Sequence, residues 1–399
     1  MKPDAERVAM TGNEAGALAM KQVRPDVVAG YPITPQTELM QQFAQYVADG
    51  ESETELILVE SEHSAMSAVI GASATGVRAM TATSANGLAL MWEMLYIAAG
   101  YRLPISPMLV SRSLGGPINI HCDHSDAMGM RDTGWIMLFA ETAQEAYDNG
   151  IMATRIAERD EVRLPVMTVQ DGFITSHTTQ VLSILTDEQV TEFVGVYRPQ
   201  KSLSNFEQPM TYGAIVLPDF YMDVKRQQAE AMNNAPRFVE QVGEEYADLT
   251  GRKYDAIEPY RMDDAQIALV ILGSAAGTAK DAIDIMRERG IAVGLLKVRM
   301  FRPFPHVEVA EALSRTRAIC VLDRSLAMGA PMGPLAEDVA ASLVTGRRVP
   351  PLYNAVYGLG GRDISIADFE GVIEEAAEVA QTGAPKATVR YVGLRGHEE

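Results

Sequence analysis

The sequence predicts an α/β protein with two successive parallel-sheet domains, and three observations carry that prediction. Short apolar runs alternate with helically spaced segments up to about residue 195, the alternation breaks between residues 196 and 264, and it restarts at Ala265. Strands buried on both faces form continuous apolar runs, and strand–helix alternation favours a parallel sheet covered by helices. We therefore expect a first domain at 1–195, a connector at 196–264 and a second domain at 265–399.

Each strand of the first domain is predicted from a short apolar run that ends at a turn. The predicted strands are Val27–Tyr31, Leu56–Val59, Ala79–Thr83, Pro107–Val110 and Pro165–Val169. Between them, apolar or small residues recur at a spacing of three to four, which is typical of a helix with one packed face. The predicted helices are Asn13–Val23, Glu38–Val47, Ser64–Gly76 and Gly87–Ala99.

Four side chains able to do chemistry follow these strands. Thr34 comes after the first strand, Glu62 after the second, Ser84 after the third and Arg112 after the fourth. Ligands of open parallel sheets bind outside the carboxyl ends of the strands. We therefore expect these four residues to converge on one rim of the sheet.

The connector and the second domain are also distinguished by pattern. Tyr197–Phe220 is predicted to be a loop and Val224–Thr250 a polar helix. The second domain is predicted to hold a sheet of roughly four or five strands, an expectation that comes from typical sheet sizes. Its segments are the strand and turn Ala268–Ser274, the helix Thr278–Arg289, the strand Ala292–Val298, the turn Arg299–Pro305, the helix Val307–Ser314 and the strand Ala318–Leu322.

Composition and charge exclude several classes of function. Thirty-four basic and 53 acidic residues give a net charge of −19, which argues against nucleic acid or an anionic membrane surface as partner. Such a surface would also repel an acidic electron carrier, which we expect to dock on another chain. The N-terminus has no apolar signal segment, and no apolar run reaches the roughly 18 residues of a membrane helix, so the cytoplasm is the expected location.

The two cysteines carry no redox centre by themselves. Cys122 and Cys320 are too few for an iron–sulfur cluster, which needs four ligands, usually all cysteine. A disulfide between them is an alternative, but in a reducing compartment we expect buried free thiols.

Several motifs occur together in a fixed order along the chain. They are Gly12-Asn13-Glu14-Ala15, Tyr31-Pro32-Ile33-Thr34-Pro35, Glu60-Ser61-Glu62-His63-Ser64-Ala65, Thr81-Ala82-Thr83-Ser84, Pro117-Ile118-Asn119-Ile120, Asp123-His124-Ser125-Asp126 and Arg131-Asp132-Thr133-Gly134-Trp135. With them the chain resembles, over nearly its whole length, the alpha subunit of the 2-oxoacid:ferredoxin oxidoreductases, a family with pyruvate and branched-chain members. The resemblance implies a pyrimidine-type thiamine diphosphate-binding domain at 1–195. It also implies a domain like the C-terminal domain of transketolase at 265–399.

The resemblance gives Glu62 the central role. It matches the family's carboxylate at N1′ of the aminopyrimidine, which makes it both catalytic and cofactor-binding. Without the resemblance, Glu62 would be taken for a helix N-terminal carboxylate that complements the helix dipole. Glu60 is expected to point to the opposite face. Ile33, Thr34 and Ser84 are further cofactor contacts implied by the family motifs.

Thr34 and Arg112 are the expected substrate contacts. The Thr34 hydroxyl can donate to a substrate carboxylate or carbonyl, and threonine here argues weakly against oxalate, for which we would expect arginine. The Arg112 guanidinium can bind a 2-oxoacid carboxylate through paired charge-assisted hydrogen bonds. The alternatives are an ordinary turn threonine and a surface ion pair. Gly115-Gly116 either leaves room for a larger branched or aromatic oxoacid or meets a loop requirement for positive φ, and the sequence does not separate the two.

No metal site is expected on this chain. His63, His121, His124, Asp123 and Asp126 do not have a recognised ligand spacing, and a hydrogen-bonded loop at the domain interface is the preferred interpretation.

One further motif resembles a metal site only in part. Asp171-Gly172 is similar to the Gly-Asp-Gly motif that holds Mg²⁺ and the diphosphate, but Gln170 stands where the first glycine should. We expect a strand-end turn there, and we expect the Mg²⁺ and diphosphate ligands on a partner chain.

The predicted function is therefore that of one subunit in a larger enzyme. The enzyme would decarboxylate a 2-oxoacid oxidatively, using thiamine diphosphate and coenzyme A, to give an acyl-CoA, CO₂ and electrons for ferredoxin or another acceptor. The implied partners are a beta subunit with the diphosphate and Mg²⁺ site, a gamma subunit, a ferredoxin-like [4Fe–4S] subunit and, as a further option, a flavin subunit. Two alternatives stay open: a non-catalytic assembly or regulatory subunit, and an NAD-dependent dehydrogenase. Against the dehydrogenase, no G-x-G-x-x-G follows the first strand of either domain, and Gly273–Gly277 approximates it poorly.

Overall fold

A computed structural model describes residues 6–199, 201–347 and 349–396. The strands are β1 (Glu6–Met10), β2 (Val27–Gly30), β3 (Glu55–Leu58), β4 (Ala79–Met80), β5 (Ala82–Thr83), β6 (Met108–Ser111), β7 (Ile136–Phe139), β8 (Val166–Asp171), β9 (Gln180–Ile184), β10 (Ile257–Tyr260), β11 (Ile267–Ile271), β12 (Val293–Val298), β13 (Met300–Arg302), β14 (Ala318–Asp323), β15 (Leu352–Val356) and β16 (Val389–Tyr391). The helices are α1 (Gly12–Gln22), α2 (Thr37–Ala48), α3 (Glu62–Ala74), α4 (Ala85–Leu90), α5 (Trp92–Gly100), α6 (Ser125–Gly129), α7 (Ala143–Ala157), α8 (Asp187–Val194), α9 (Pro218–Thr250), α10 (Ala275–Glu288), α11 (His306–Leu313), α12 (Pro334–Thr345) and α13 (Ile366–Thr382).

The first domain is built on two sheets that meet at one residue, and all their strands are parallel except the edge strand β13, which is antiparallel to β7. One sheet has the order β3-β2-β4, and the other has the order β13-β7-β8-β6-β5. Thr81 separates β4 from β5. The prediction of one continuous strand over Ala79–Thr83 is therefore wrong. The predicted helix Gly87–Ala99 is likewise divided, into α4 and α5, at Met91. An antiparallel pair, β1 with β9, was not predicted.

The strand order places the four candidate residues at carboxyl ends of parallel strands. β2 pairs with β3 and with β4, while β6 pairs with β5 and with β8, all in parallel. Thr34 follows β2, Glu62 follows β3, Ser84 follows β5 and Arg112 follows β6. The parallel α/β arrangement around these residues is as expected.

Much of the predicted connector packs into the first domain. Helix α9 begins at Pro218 instead of Val224, and its second half buries Ala235, Phe238, Val242 and Tyr246 in the core of the first domain. A buried carboxylate reinforces this contact. Asp148 of α7 accepts hydrogen bonds from Tyr246 Oη at 2.6 Å, Tyr254 Oη at 2.6 Å and Arg252 Nε at 2.7 Å.

The sheet of the second domain is larger than predicted. Its order is β10-β12-β11-β14-β15-β16, six strands instead of four or five, and β10 is antiparallel to β12. Strand β10 lies within residues 196–264, the stretch predicted as connector. Strand β13 belongs to the second domain in sequence, but it pairs with β7 in the sheet of the first domain. The two domains are therefore joined by backbone hydrogen bonds as well as by side-chain packing.

Two predictions from composition can be compared with the structure. Cys122 and Cys320 are both free and buried, as expected. Among the residues the structure describes, no helix is long and apolar enough to cross a membrane.

Candidate functional site

Glu62 is a buried carboxylate at the first position of α3. Ser61 caps this helix, since its side chain accepts a hydrogen bond from Ser64 N at 3.2 Å, and Glu62 is only 7% exposed. The side chain extends beneath α4, where a Cβ built on Gly87 would lie 2.6 Å from Glu62 Oε1. Glu60, by contrast, is exposed and accepts a hydrogen bond from Ser64 Oγ at 2.5 Å. The two glutamates therefore differ as expected, with Glu62 inside and Glu60 outside.

Two consecutive residues, Thr83 and Ser84, carry buried hydroxyl groups without a partner among the described residues. Thr83 Oγ1 lies 2.6 Å from the same Cβ position on Gly87, which places it next to Glu62. Within the described residues neither Thr83 Oγ1 nor Ser84 Oγ has a hydrogen-bond partner, although both residues are fully buried. Buried polar atoms are normally paired, and such exceptions indicate a place for a bound polar group. A carboxylate and two hydroxyls fit a polar heterocycle with ring nitrogens and an amino group.

The loop that carries Ile33 and Thr34 is held by buried amides. Gln36 donates from Nε2 to Ala82 O at 3.1 Å and accepts from Ile33 N at 3.3 Å. Asn13 donates from Nδ2 to Pro35 O at 2.9 Å. The Thr34–Pro35 peptide is cis, and Thr34 itself is exposed. Sequence analysis did not single out Asn13 or Gln36 as the residues that position this loop.

Arg112 and Thr34 are brought together. Arg112 is 8% exposed, and its guanidinium donates from Nη1 to Thr34 O at 2.7 Å and from Nε to Asn119 O at 3.0 Å. It forms no surface ion pair, and within the described part of the chain its Nη2 has no partner. The contact to Thr34 uses the backbone carbonyl, so the threonine hydroxyl is left for another group.

Asp126 connects the two sides of the site. Its carboxylate accepts hydrogen bonds from Ala85 N at 2.9 Å, Arg112 N at 2.9 Å and Ser111 Oγ at 2.7 Å. Burial raises the pKa of Asp126 to about 6, and these hydrogen bonds oppose the rise. Sequence analysis placed Asp126 in a family motif and preferred a hydrogen-bonded loop to a metal site; the structure shows such hydrogen bonds, which fix Ala85, next to Ser84, relative to Arg112.

Asp171 is the centre of a buried polar cluster between the domains. His124 Nε2 lies 2.8 Å from Asp171 Oδ1, while Ser274 Oγ and Arg324 Nη1 donate to Oδ2 at 2.6 and 3.0 Å. Burial alone would raise the pKa of Asp171, but His124, Arg324 and Ser274 together hold it below its usual value. The strand-end position predicted for Asp171 is correct, and its role in joining the domains was missed.

Two other interpretations can be judged against this cluster. Cys122 contributes a third potential metal ligand beside His124 and Asp171, with the ligand atoms within 4.8 Å of one another, but Arg324 already neutralises the carboxylate. The turn at Gly273 and Ser274, which was considered as a dinucleotide-binding loop, also contacts Asp171. Its Ser274 N–H donates to Asp171 at 3.0 Å and is not directed at a phosphate.

The remaining histidines and glycines have local roles. His63 pairs with Glu93 at the surface, with 3.1 Å between Nε2 and Oε1, and so lies apart from the interdomain loop. His121 packs against the Phe173 ring at 5.1 Å. Gly116 has φ of +129°, which favours the loop requirement over a substrate-size requirement at that position.

Two family models match most of the chain between them. Residues 18–244 match the family described as "Pyruvate flavodoxin/ferredoxin oxidoreductase, thiamine diP-bdg". Residues 265–369 match "Pyruvate:ferredoxin oxidoreductase core domain II". Since the first match covers more than half of the chain, the protein belongs to this family of thiamine diphosphate-dependent oxidoreductases.

Particular relatives agree over the full length. The chain is 52% identical over 395 residues to pyruvate synthase subunit PorA of Thermotoga maritima, covering 99% of this chain and 100% of that protein. It is 44% identical over 397 residues to the PorA subunit of Methanocaldococcus jannaschii, covering 99% and 100%. It is 41% identical over 387 residues to ketoisovalerate oxidoreductase subunit VorA of Pyrococcus abyssi, covering 97% of each chain.

Two solved structures share the fold. A 2-oxoglutarate:ferredoxin oxidoreductase from Magnetococcus marinus superposes with a TM-score of 0.72 at 20% identity, covering 93% of this chain. This chain spans 65% of the length of that one. A split-gene transketolase superposes with a TM-score of 0.55 at 11% identity, covering 93% of this chain and 99% of that one. The predictions of family, fold class and enzyme class are confirmed, while the roles of individual residues stay predictions.

Proposed function

We propose that this chain is the alpha subunit of a 2-oxoacid:ferredoxin oxidoreductase and supplies the aminopyrimidine half of a shared thiamine diphosphate site. The observation that carries the proposal is Glu62, a buried carboxylate beside the unpaired hydroxyl of Thr83, which is followed in the chain by the unpaired hydroxyl of Ser84. Thiamine diphosphate, when bound, supplies carbanion chemistry at the thiazolium C2. Glu62 would hold the proton at N1′ of the aminopyrimidine, and the two hydroxyls would bind its other polar atoms.

Substrate binding is assigned to the adjacent loop. Arg112 would bind the carboxylate of a 2-oxoacid through Nη2, the nitrogen left without a protein partner. Its other nitrogens bind backbone carbonyls, so the guanidinium is held in place before substrate arrives. The Thr34 hydroxyl would donate to the substrate carboxylate or carbonyl, and Ile33 would pack against the cofactor.

The remaining parts of the enzyme would come from partner chains. Asp171, the residue that most resembles a diphosphate-site aspartate, is occupied by His124, Ser274 and Arg324. This supports a beta subunit that carries Mg²⁺ and the diphosphate ligands. Electrons would pass through [4Fe–4S] clusters on a ferredoxin-like subunit. Coenzyme A would accept the acyl group, with a gamma subunit completing the assembly.

The relatives narrow the substrate without fixing it. Those named above are pyruvate synthase and ketoisovalerate oxidoreductase subunits, so pyruvate and branched-chain 2-oxoacids are the first substrates to test. The expected products are an acyl-CoA, CO₂ and a reduced electron acceptor. The acceptor is either ferredoxin or, through a flavin subunit, NAD⁺.

The test replaces Glu62 in the assembled complex and uses Glu60 as the matched control. We expect Glu62→Gln to lower the rate of 2-oxoacid oxidation at least 100-fold, since a positioned acid–base group contributes about 10²–10⁴-fold. Glu60→Gln, at an exposed carboxylate two residues away, should leave the rate within about twofold. Full activity in Glu62→Gln and Glu62→Ala would contradict the proposal. A wild-type complex that binds thiamine diphosphate but turns over no 2-oxoacid would support a non-catalytic subunit instead.

A further inference from the structure

Residues 203–224, called here the apolar arm, expose large apolar side chains to solvent. The arm consists of a loop and the first turns of α9, and residues 218–227 include no buried residue. Six of its large apolar side chains are at least 56% exposed: Phe206, Ile215, Leu217, Phe220, Tyr221 and Met222. Soluble proteins rarely expose contiguous apolar patches of this kind unless they bind something. The rest of α9 buries an apolar face, so the exposure is confined to the arm.

The arm is anchored to the helices that form the candidate site. Leu203 N donates to Ala74 O, the last residue of α3, at 2.8 Å, and the Tyr212 ring packs on Tyr101 just after α5 at 5.4 Å. These anchors hold the start and the middle of the loop, while Phe206 between them and the stretch from Ile215 to Met222 after them stay exposed. The arm is therefore positioned at the C-terminal ends of α3, the helix that begins at Glu62, and of α5, the helix that follows α4.

An exposed apolar strip links the arm to the site. Leu90, Trp92 and Tyr96 are each at least 40% exposed along α4 and α5. Tyr96 and the arm residue Tyr221 line the same cavity, of about 880 Å³. A partner that lies along this strip therefore reaches the arm.

Charge distinguishes between the candidate occupants. The arm contains Glu207, Asp219 and Asp223 and no lysine or arginine; Lys225 and Arg226 follow it directly, but the chain as a whole carries a net charge of −19. Pairing with a second copy would place these carboxylates against like charges, which is unfavourable. A different chain with an apolar groove rimmed by lysine or arginine would satisfy both the apolar and the acidic residues. Residues 203–224 also approach the roughly 20–30 residues per side of a standard interface.

We infer that the apolar arm docks in an apolar, basic-rimmed groove of the subunit that supplies the diphosphate half of the site. This inference rests on the proposed function, because that function requires such a subunit. The arm would hold the partner at a distance from the reacting atoms. It would therefore affect assembly of the complex and leave the chemistry of an assembled complex unchanged.

The first experiment measures assembly of the chain with its co-expressed partner subunits. The triple variant Phe206→Ser/Ile215→Ser/Met222→Ser should bind the diphosphate-side subunit at least tenfold more weakly. Its own melting temperature should stay unchanged, because the three side chains are exposed. The control Val307→Ser/Met328→Ser/Val344→Ser removes three exposed apolar side chains from the second domain and should assemble normally. Asp219→Lys/Asp223→Lys should slow association at least tenfold at low salt, and the difference should shrink at high salt.

A second measurement needs no variant. Backbone amides of residues 213–227 should exchange with solvent at least tenfold more slowly in the complex than in the isolated chain. Equal exchange rates, or a triple variant that assembles with wild-type affinity, would overturn the inference. So would an isolated wild-type chain that dimerises through the arm and loses the dimer in the triple variant. Glu62→Gln separates the two proposals. If the complex that carries this variant stays active, the proposed function fails, whereas the assembly measurements still test whether the arm docks on the partner subunit.

Discussion

Gly87→Ala tests the geometry around Glu62 with one methyl group. The new Cβ would lie 2.6 Å from both Glu62 Oε1 and Thr83 Oγ1, and 2.8 Å from Glu62 Cγ. Ordinary contacts of a Cβ begin at 3.4 Å, so the carboxylate must move by about 0.8 Å. Gly87 has no positive φ, and alanine in place of a helical glycine normally stabilises a helix by about 0.5–1 kcal/mol. The substitution should therefore displace the carboxylate while the fold persists.

The expected effect is a loss of activity out of proportion to any loss of stability. A displacement of about 1 Å at a reacting group can cost about 100-fold in rate, so we expect the rate of 2-oxoacid oxidation to fall about 10- to 100-fold. The free energy of unfolding of the isolated chain should change by no more than about 1–2 kcal/mol, since helix propensity and the new contact oppose each other. Steady-state kinetics of the assembled complex and urea denaturation of the chain measure these two quantities.

Gly71→Ala is the matched control, because Gly71 lies in α3 with Glu62, is exposed, and a Cβ there would meet nothing within 4 Å. That variant should keep full activity. If Gly87→Ala were as active as Gly71→Ala, Glu62 would not need the position seen beneath α4. The assignment of this carboxylate to the aminopyrimidine would then be refuted.

Three further predictions concern neighbouring residues. Arg112→Lys should raise KM for the 2-oxoacid at least tenfold with a smaller change in kcat, because lysine lacks the planar fork; an unchanged KM in steady-state kinetics would remove Arg112 from the substrate site. Asp171→Asn should lower the free energy of unfolding by about 3 kcal/mol at pH 7, because it leaves Arg324 buried without its carboxylate. That difference should begin to shrink as the pH falls through about 3.8, the ordinary pKa of aspartate, and should be lost only below the folded pKa of Asp171, which is lower. Asp126→Asn should change the pH dependence in the opposite sense: with its folded pKa raised to about 6, wild type should gain up to about 3 kcal/mol of stability as the pH falls from about 6 to about 4. The asparagine variant should lack that gain, and parallel pH profiles from urea denaturation would contradict the burial argument.

The parallel strands could be predicted because their signal is local. Runs such as Val28–Gly30 and Ala268–Leu272 are buried on both faces, so each is apolar throughout and ends at a turn, whereas β3, predicted as a buried strand over Leu56–Val59, is mostly exposed. Strand β1 was missed because it pairs with β9, more than 160 residues away, and is mostly exposed. The pairing of β13 with β7 likewise depends on how the two domains meet, which no local pattern records.

The site could be predicted where one motif carries a role, and not where space or distant partners define it. Glu62 stands in a short motif and Arg112 directly follows a predicted strand, and both side chains are buried. Gly87 has no chemistry of its own, and its importance lies in the room it leaves above Glu62. Asp171 was predicted as a turn because its partner Arg324 lies 153 residues further along the chain. Burial of a charge is only recognisable once such partners are known.

The second domain influences the site through position and not through a reacting group. Arg324 and Ser274 hold Asp171 at the end of β8, and Gly172 follows it directly. A Cβ on Gly172 would lie 2.5 Å from Ser111 O and 2.8 Å from Pro35 Cγ, so the backbone there packs tightly against the loop that bears Thr34. Close-packed contacts transmit displacement because no void absorbs it. The second domain therefore contacts the loop that bears Thr34 through Asp171 and Gly172, whereas Glu62 is held at the N-terminus of α3.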